Sequence, residues 1–305
     1  ESGNGVPRIM LPMRFQTTSR HRHLRALANY YSPGFAPVYR ADDPEALNLL
    51  PTFLAKICAE RPVWDLIDIN PLDLEGEAFE KIVEGLRAGG MSVHPYFRFG
   101  NWYLHVENRS FEEYFNDLPS ALRNTIRRKE KRFRRSGKVE LVISRGEEKL
   151  DEQIAAYEQV YSKSWKRTEA YPQFIRDLMH LWARKGWLRL GIAYLDDQPI
   201  AAQLWAVHNK TASIYKLAYD EDHAKLSAGS ILSAELFRHA IDIDGVEVID
   251  YLSGDDNYKK AWMSDRREKW GIIGFNKRSL HGLGHLAVHQ TKRLGGNILR
   301  RLKQT

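Results

Sequence analysis

The feature that most constrains this chain is a change of hydrophobic period in its second half, and the order in which the changes come. From Leu150, apolar side chains return at Ile154, Tyr157, Tyr161 and Trp165, the spacing of one helix face. A second helix is expected after Pro172, with Phe174, Leu178, Leu181 and Trp182 inward and Gly186 as its stop. The period then shortens to that of strands, at Leu188 to Tyr194, Ile200 to Val207 and Ala212 to Tyr219, with turns at Asp196-Asp197-Gln198-Pro199 and His208-Asn209-Lys210. A loop from His223 to Ala228 leads to Gly229-Ser230 and a helix over Ile231 to Ile241. A strand from Val246 to Leu252, a short helix from Asn257 to Met263 and a strand pair around Lys269 to Asn276 close the series. Two helices, a meander, a glycine-led helix, then strand, helix, strand is an order few folds share.

The first half reads as the back end of the same unit. A strand at Leu24 to Tyr31, a break at Ser32-Pro33-Gly34 and a helix from Pro44 to Glu60 precede a strand at Val63 to Asn70. A helix at Glu77 to Ala88 and strands within Ser92 to Val106 follow. The segments WDLIDIN and VEVIDYL align Ile67-Asp68 with Ile249-Asp250, a weak repeat that fits the shared order of elements. The front of the first unit is expected to be missing or abbreviated before Arg8. Four parts are expected: a first lobe over 1–117, a basic bridging helix over 118–138, a second lobe over 139–280 and a basic tail over 281–305.

At 305 residues the chain has room for two cores, and 43% hydrophobic with 28% charged residues is the balance of a globular protein. No run approaches the roughly 20 apolar residues of a membrane span. The single cysteine, Cys58, lies among Leu49, Leu50, Phe53, Leu54 and Ile57; it reads as a core thiol, and with no disulfide to form it points to the cytoplasm. The net charge of +7 favours anionic partners. Much of it sits in the run from Arg123 to Lys138 and in the tail from Lys277 to Lys303. In the first, Leu122, Ile126 and Phe133 anchor a helix whose other side shows Arg127, Arg128, Lys131, Arg132, Arg134 and Arg135. In the second, Leu294, Ile298, Leu299 and Leu302 beside Arg293, Arg300, Arg301 and Lys303 give a pattern suited to peripheral contact with an anionic membrane.

The segments LPSALRNTIRRKEKRF, LAYDEDHAKLSAGSIL and VIDYLSGDDNYKKAW, in this order, resemble the GNAT acyltransferase superfamily, in its tandem FemAB-like and CelD-type (cellulose-biosynthesis) branch. The resemblance covers about Leu118 to Lys277, and the first lobe by analogy. It implies an α/β protein of two GNAT-like lobes with mixed, mostly antiparallel sheets flanked by helices. It also implies that the strand before the glycine-led helix splays from its neighbour and holds the donor's pantetheine arm, which places Tyr215, Lys216, Leu217 and Ala218 on the donor. The pyrophosphate would then rest on Ser227, Ala228, Gly229, Ser230 and Ile231. Free amides at a helix start form an anion site, and glycine lets backbone come close to phosphate. Of the family's usual glycine pair only Gly229 is present, so the donor is expected to be acetyl-CoA or another acyl-CoA, with an acyl carrier protein or aminoacyl-tRNA as alternative presenters.

Acyl transfer to an amine needs a base, a donor for the departing thiolate and a group that stabilises the oxyanion. Between Asp250 and Trp262 the sequence offers Asp250, Asp255, Asp256, Tyr258 and Lys259. The resemblance gives Tyr258 the thiolate; Asp255 or Asp256 is placed as base by its position at the strand end, and Lys259 can bind a phosphate or carboxylate. Asp255-Asp256-Asn257 also reads as an N-capping turn. Arg127, Arg128, Lys131 and Arg132 are the candidates for an anionic or amine-bearing acceptor: amino sugar, glycan precursor, peptide or small amine. Nucleic acid is not expected except tRNA in an aminoacyl-tRNA-dependent ligase, the first alternative; a non-catalytic glycan- or nucleic-acid-binding module is the second.

Gly282-Leu283-Gly284-His285-Leu286-Ala287 imitates a dinucleotide fingerprint but has no following parallel strand. His281, His285 and His289 share helical spacing, but no carboxylate or cysteine stands near them in sequence. His21 and His23 read as solvent-facing ends of a strand, and no metal is expected.

Overall fold

The computed structural model of the protein describes residues 6–18 and 21–302, with side chains described as far as residue 292. It divides into two compact units, Glu1–Gly100 with Arg267–Thr305, and Asn101–Arg266. Each has its own core. In the second unit Phe133, Trp205, Leu232 and Phe237 are fully buried; in the first, Leu50, Leu54, Ile67 and Ile82 are. The sequence reading drew lobe limits at 117 and 280. The units divide at Gly100 and Arg267 because both limits fall inside long strands, Met91–His105 and Asp265–Asn276, each read from sequence as broken.

The second unit contains the expected order. Helices Leu150–Ser162 and Pro172–Arg184 lead into an antiparallel meander of Leu188–Leu195, Gln198–His208 and Thr211–Tyr219. The glycine-led helix starts earlier than expected, at Ala228, and runs to Arg238, where a π-turn over His239–Ile243 ends it. Strand Val248–Asp250 then pairs in parallel with Thr211–Ser213 and antiparallel with Tyr103–His105. The strands in this unit are ordered Met91–His105, Val248–Asp250, Thr211–Tyr219, Gln198–His208, Leu188–Leu195 and Val139–Ser144.

Three corrections concern how side chains are used. Helix Pro172–Arg184 buries Ile175, Met179 and Ala183, whereas Phe174 and Leu181 are exposed, so the inward face is turned from the one expected. Edge strand Val139–Ser144 went unread because a half-buried edge strand of six residues shows little alternation. Helix Phe111–Asp117 was also missed, although Ser110 and Glu113 form a capping box, a signal present in the sequence.

The first unit opens on a hairpin, Met13–Thr17 with Arg22–Ala26, and orders its strands as that hairpin, then Leu66–Asp73, then Asp265–Asn276. Helices Leu50–Ala59 and Glu77–Ala88 pack together. Arg22–Ala26 pairs in parallel with Leu66–Asp73 through His23–Leu66, Leu24–Ile67 and Arg25–Asp68. In the second unit the parallel pairs are Thr211–Val248, Ala212–Ile249 and Ser213–Asp250. Ile67-Asp68 and Ile249-Asp250 thus occupy the same register, so the weak sequence repeat marks equivalent positions. Both acids accept hydrogen bonds: Asp68 from Tyr96 and Asn70, Asp250 from Asn101 and the Leu252 amide.

Helix Leu280–Leu302 closes the described chain. Arg293, Leu294, Ile298, Leu299, Arg300, Arg301, Leu302 and Lys303 of the basic tail have side chains outside the described residues. No described helix is long and apolar enough to cross a membrane. Cys58 is buried, and burial pushes its thiol up to about 11, as expected of a core cysteine.

Phe237 is fully buried and stacks on Tyr114 and Trp262 at 5.4 and 5.0 Å. Phe237→Ala is expected to lower stability by about 3–5 kcal/mol in urea titration.

Candidate active site

The site begins with the short parallel ladder of the second unit. Pairing between Thr211–Tyr219 and Val248–Asp250 stops at Ser213, six residues before the longer strand ends. A register shift against Gln198–His208 falls between Ile214 and Lys216, at the point where the two strands part. On the other side Asp250 is buried; Asn101 donates to its Oδ1 at 2.6 Å and the Leu252 amide does so at the same distance. Leu252 adopts φ +58°, so the chain leaves the strand through a left-handed residue that this carboxylate holds.

A cavity of about 440 Å³ lies at this parting. Its walls include Leu217, Ala218 and Tyr219 of the strand, Ser227, Ala228, Gly229 and Ser230 of the helix entry, and Tyr258 with Trp262 beyond the strand end. Sequence reasoning had placed most of these. Tyr215, Lys216 and Ile231 do not line it: Tyr215 packs edge-on against Trp182, Lys216 is ion-paired with Glu169, and Ile231 belongs to the core.

The helix entry is set by a buried clamp that sequence reasoning missed. Gln203, from the middle meander strand, donates to the Gly229 carbonyl at 2.9 Å and to Ser233 Oγ at 2.8 Å, and accepts from Trp205 Nε1 at 2.9 Å. Ser227, in the left-handed region at φ 56°, turns the chain into the helix. A Cβ on Gly229 would touch only Tyr219, at an ordinary 3.6 Å. The protein's own packing therefore does not require glycine here. The missing side chain leaves room on the cavity side.

The acids at the strand end are mostly engaged. Asp255 accepts from Trp102 Nε1 at 2.8 Å and pairs with Arg266 at 2.7 Å; the Arg266 hydrogen bonds hold its carboxyl below the usual range. Lys259 is buried, donating to the Ser253 carbonyl at 2.6 Å and pairing with Asp256 at 3.0 Å. Asp256 precedes helix Asn257–Lys260 but makes no capping hydrogen bond with its side chain. The cap expected there is replaced by the lysine pair. Of the three acids, one tyrosine and one lysine proposed for chemistry, Tyr258 alone lines the cavity, and burial together with Asp256 pushes its phenol up to about 12.

Lys166 was not foreseen. Burial, then the neighbouring Lys216 ammonium, lowers it to about 8. It follows Trp165, which lines the cavity and packs on Tyr219 at 4.5 Å, and Glu169 and Asp256 are the acids that oppose the shift. A lone lysine in a polar loop carries no sequence signal of this kind.

Helix Ser120–Arg134 buries Ile126 and Phe133 and turns Leu122 into the cavity wall. Arg128, Lys131, Arg132 and Arg135 join Arg127 and Ser136 around a second, open groove of about 680 Å³. The residues expected to meet the acceptor thus share a basic groove lined by none of the cavity residues. Arg127 also lies over the Phe115 ring at 5.4 Å.

Residues 120–260 match the family model of the acetyltransferase (GNAT) domain. Solved structures share the fold beyond it. FemX aligns over 89% of this chain and 85% of its own, with TM-score 0.62 and 14% identity. The C-terminal domain (DUF2156) of a putative lysylphosphatidylglycerol synthetase from Agrobacterium fabrum covers 91% of this chain and 86% of its own, with TM-score 0.55 and 10% identity. L-PGS from Bacillus licheniformis covers 93% and 89%, with TM-score 0.54 and 11% identity. At these identities the likeness concerns the fold alone. No curated protein matches the sequence.

Two stability outcomes follow from the clamp and the buried pair. Gln203→Leu leaves the Trp205 indole N–H without its acceptor and is expected to cost about 1–3 kcal/mol. Lys216→Met removes one ion-pair partner of Glu169, whose side chain is 8% exposed, and is expected to cost about 1.5–3 kcal/mol; urea unfolding of both variants measures the two effects.

Proposed function

We propose that the protein is an acyltransferase that binds a thioester donor, an acyl-CoA in the first instance, in the cavity of its second unit. The observation that carries this reading is the parting of Thr211–Tyr219 from Val248–Asp250 next to a helix entry whose glycine the fold itself does not need. The pantetheine arm lies along the strand at Leu217 and Ala218. The pyrophosphate meets the amides that open helix Ala228–Arg238, where unpaired N–H groups and the helix dipole favour an anion.

Lys166 supplies the base. At about 8, roughly a tenth of it is neutral at pH 7, so it can take the proton of an amine acceptor. The freed amine attacks the thioester carbonyl, the tetrahedral intermediate expels the thiolate, and no covalent enzyme intermediate is formed. Tyr258 sits against the leaving sulfur. Full proton transfer from a phenol near 12 to a thiolate of pKa about 8.5 is uphill by roughly 5 kcal/mol, so the hydroxyl acts as a hydrogen-bond donor to sulfur. The ammonium that Lys166 has just become is the better matched acid. Asp250, Asp255 and Lys259 hold the loop that presents Tyr258.

The basic groove favours a second reading of the partner, because the clustered guanidinium groups of Arg127, Arg128, Arg132 and Arg135 suit a polyphosphate chain. It fits a tRNA-borne aminoacyl donor, and FemX and the lysylphosphatidylglycerol synthetases share the fold. A lipid-linked or nucleotide-linked acceptor would use the same groove.

Calorimetric titration with acetyl-CoA, CoA and a longer acyl-CoA tests the donor. Saturable binding that Gly229→Ala preserves and Gly229→Trp abolishes is the expected result; equal affinity in the Trp variant would remove the donor from this cavity. A binding signal seen only with aminoacyl-tRNA, weakening steeply with salt, would select the second reading. Tyr258→Phe should lower kcat by about 10²–10³ with donor affinity kept. The rate is expected to rise with pH through about 8 as Lys166 loses its proton, and Lys166→Met should flatten that limb; an unchanged pH profile would take Lys166 out of the reaction.

A further inference from the structure

The first unit gathers histidines that no part of the acyl-transfer site uses. His21 and His23 sit two apart at the start of strand Arg22–Ala26, a spacing that sends both side chains to one side of a strand. His281 and His285 stand four apart on helix Leu280–Leu302, one turn along the same face. The strand brings one chelating pair and the helix the other. Ring centroids are 4.6 Å apart for His21 and His281, 5.1 Å for His23 and His285, and 5.7 Å for His21 and His285. His21 and His23, expected in solvent, are half-buried.

The packing that makes this meeting is specific. The carbonyl oxygens of Asn276 and Asp65 crowd Gly282 so closely that a Cβ there would collide with both. This is why glycine stands in the segment that imitates a dinucleotide motif. It seats the first turn of the helix directly on the backbone that carries Asp65. Asp65 is buried; it accepts from the Arg22 amide at 2.8 Å and from Ser279 Oγ, so the carboxylate that the sequence seemed to lack is fixed beside the imidazoles. Two buried ring nitrogens, His21 Nδ1 and His23 Nε2, have no hydrogen-bond partner among the described residues. Orphaned buried polar atoms are uncommon in a folded protein and ask for a partner.

We propose that His21, His23 and His285 bind a divalent transition-metal ion of the zinc class, with Asp65 and His281 as outer partners of His21. One ligand atom from each of the three histidines lies within 4.8 Å of the others, and the group His21, Asp65 and His281 meets the same limit. A tetrahedral zinc with bonds of about 2.0–2.1 Å sets its nitrogens roughly 3.4 Å apart, so ring rotation of half-buried side chains closes the shell. Imidazole ligands suit zinc, cobalt, nickel and copper and disfavour magnesium and calcium. The nearby Arg22 guanidinium is drawn away over the Trp64 ring at 4.3 Å. The bound ion would tie the opening hairpin of the first unit to its last helix, closing a loop of more than 250 residues between His23 and His285.

The test is cobalt titration of the full chain after chelator treatment and dialysis. One equivalent of Co2+ should produce the visible d–d bands of a tetrahedral site, and Zn2+ should displace it. His23→Ala and His285→Ala should each weaken uptake by more than about 100-fold, beyond what outer partners command, whereas His289→Ala, outside the trio, should leave it unchanged. Zinc should raise the Tm of the wild type and not of the two variants. Absence of stoichiometric uptake would overturn the proposal, and so would uptake that His23→Ala and His285→Ala leave intact. Circular dichroism of each metal-free variant confirms folding; where an alanine variant fails it, His285→Gln takes its place under the same criterion.

Discussion

The parallel ladder between Thr211–Tyr219 and Val248–Asp250 lasts three residue pairs, and the rest of the second unit is arranged around its ending. Parallel strands joined by a helix must send that helix back across the sheet, so helix Ala228–Arg238 is bound to begin beside the point where the strands separate. Asp250 ends the ladder from one side, with Asn101 and the Leu252 amide drawn onto it; Gln203 fixes the helix from the other. The gap is thus made by hydrogen bonds to two buried polar side chains and kept open by the core beneath it. Most polar groups near the cavity serve that geometry. Asp255 with Arg266 and Lys259 with Asp256 are braces, and Tyr258 is left on the cavity wall.

A brace and a catalyst look alike in sequence. Asp255, Asp256 and Lys259 stood at the end of a strand where acyl chemistry was expected, and nothing in their spacing told that Trp102, Arg266 and the Ser253 carbonyl had claims on them. Those claims come from residues up to 153 positions away. Local elements were legible for the opposite reason. The periodicity of Leu150–Ser162, the helix Glu77–Ala88 and the meander arise from neighbours in sequence, and Ile67 and Ile249 could be paired because both sit in the middle of a short parallel ladder. The inward face of Pro172–Arg184 failed because several apolar residues offered two overlapping stripes, and packing chose Ile175, Met179 and Ala183.

Lys166 and the histidines illustrate what sequence hides in different ways. A lysine is ordinarily a solvated charge, and only burial next to Lys216 changes its titration. The histidine pairs each have a recognisable spacing, but they are about 260 residues apart, and the fold alone brings strand and helix together. Gly282 was the visible sign of that approach, read as a motif because close packing of backbone and phosphate-binding turns call for the same residue.

The division of the chain at Gly100 and Arg267 has a consequence for its birth on the ribosome. The second unit is continuous, so everything it needs has emerged once residue 266 has been made. The first unit begins sooner and finishes later: strand Leu66–Asp73 waits for Asp265–Asn276 as its antiparallel neighbour, and Asn276 is what holds the Trp64 carbonyl. Synthesis therefore completes the second unit before the first. The opening hundred residues, with a sheet edge still unpaired, must be kept from other partners throughout that interval.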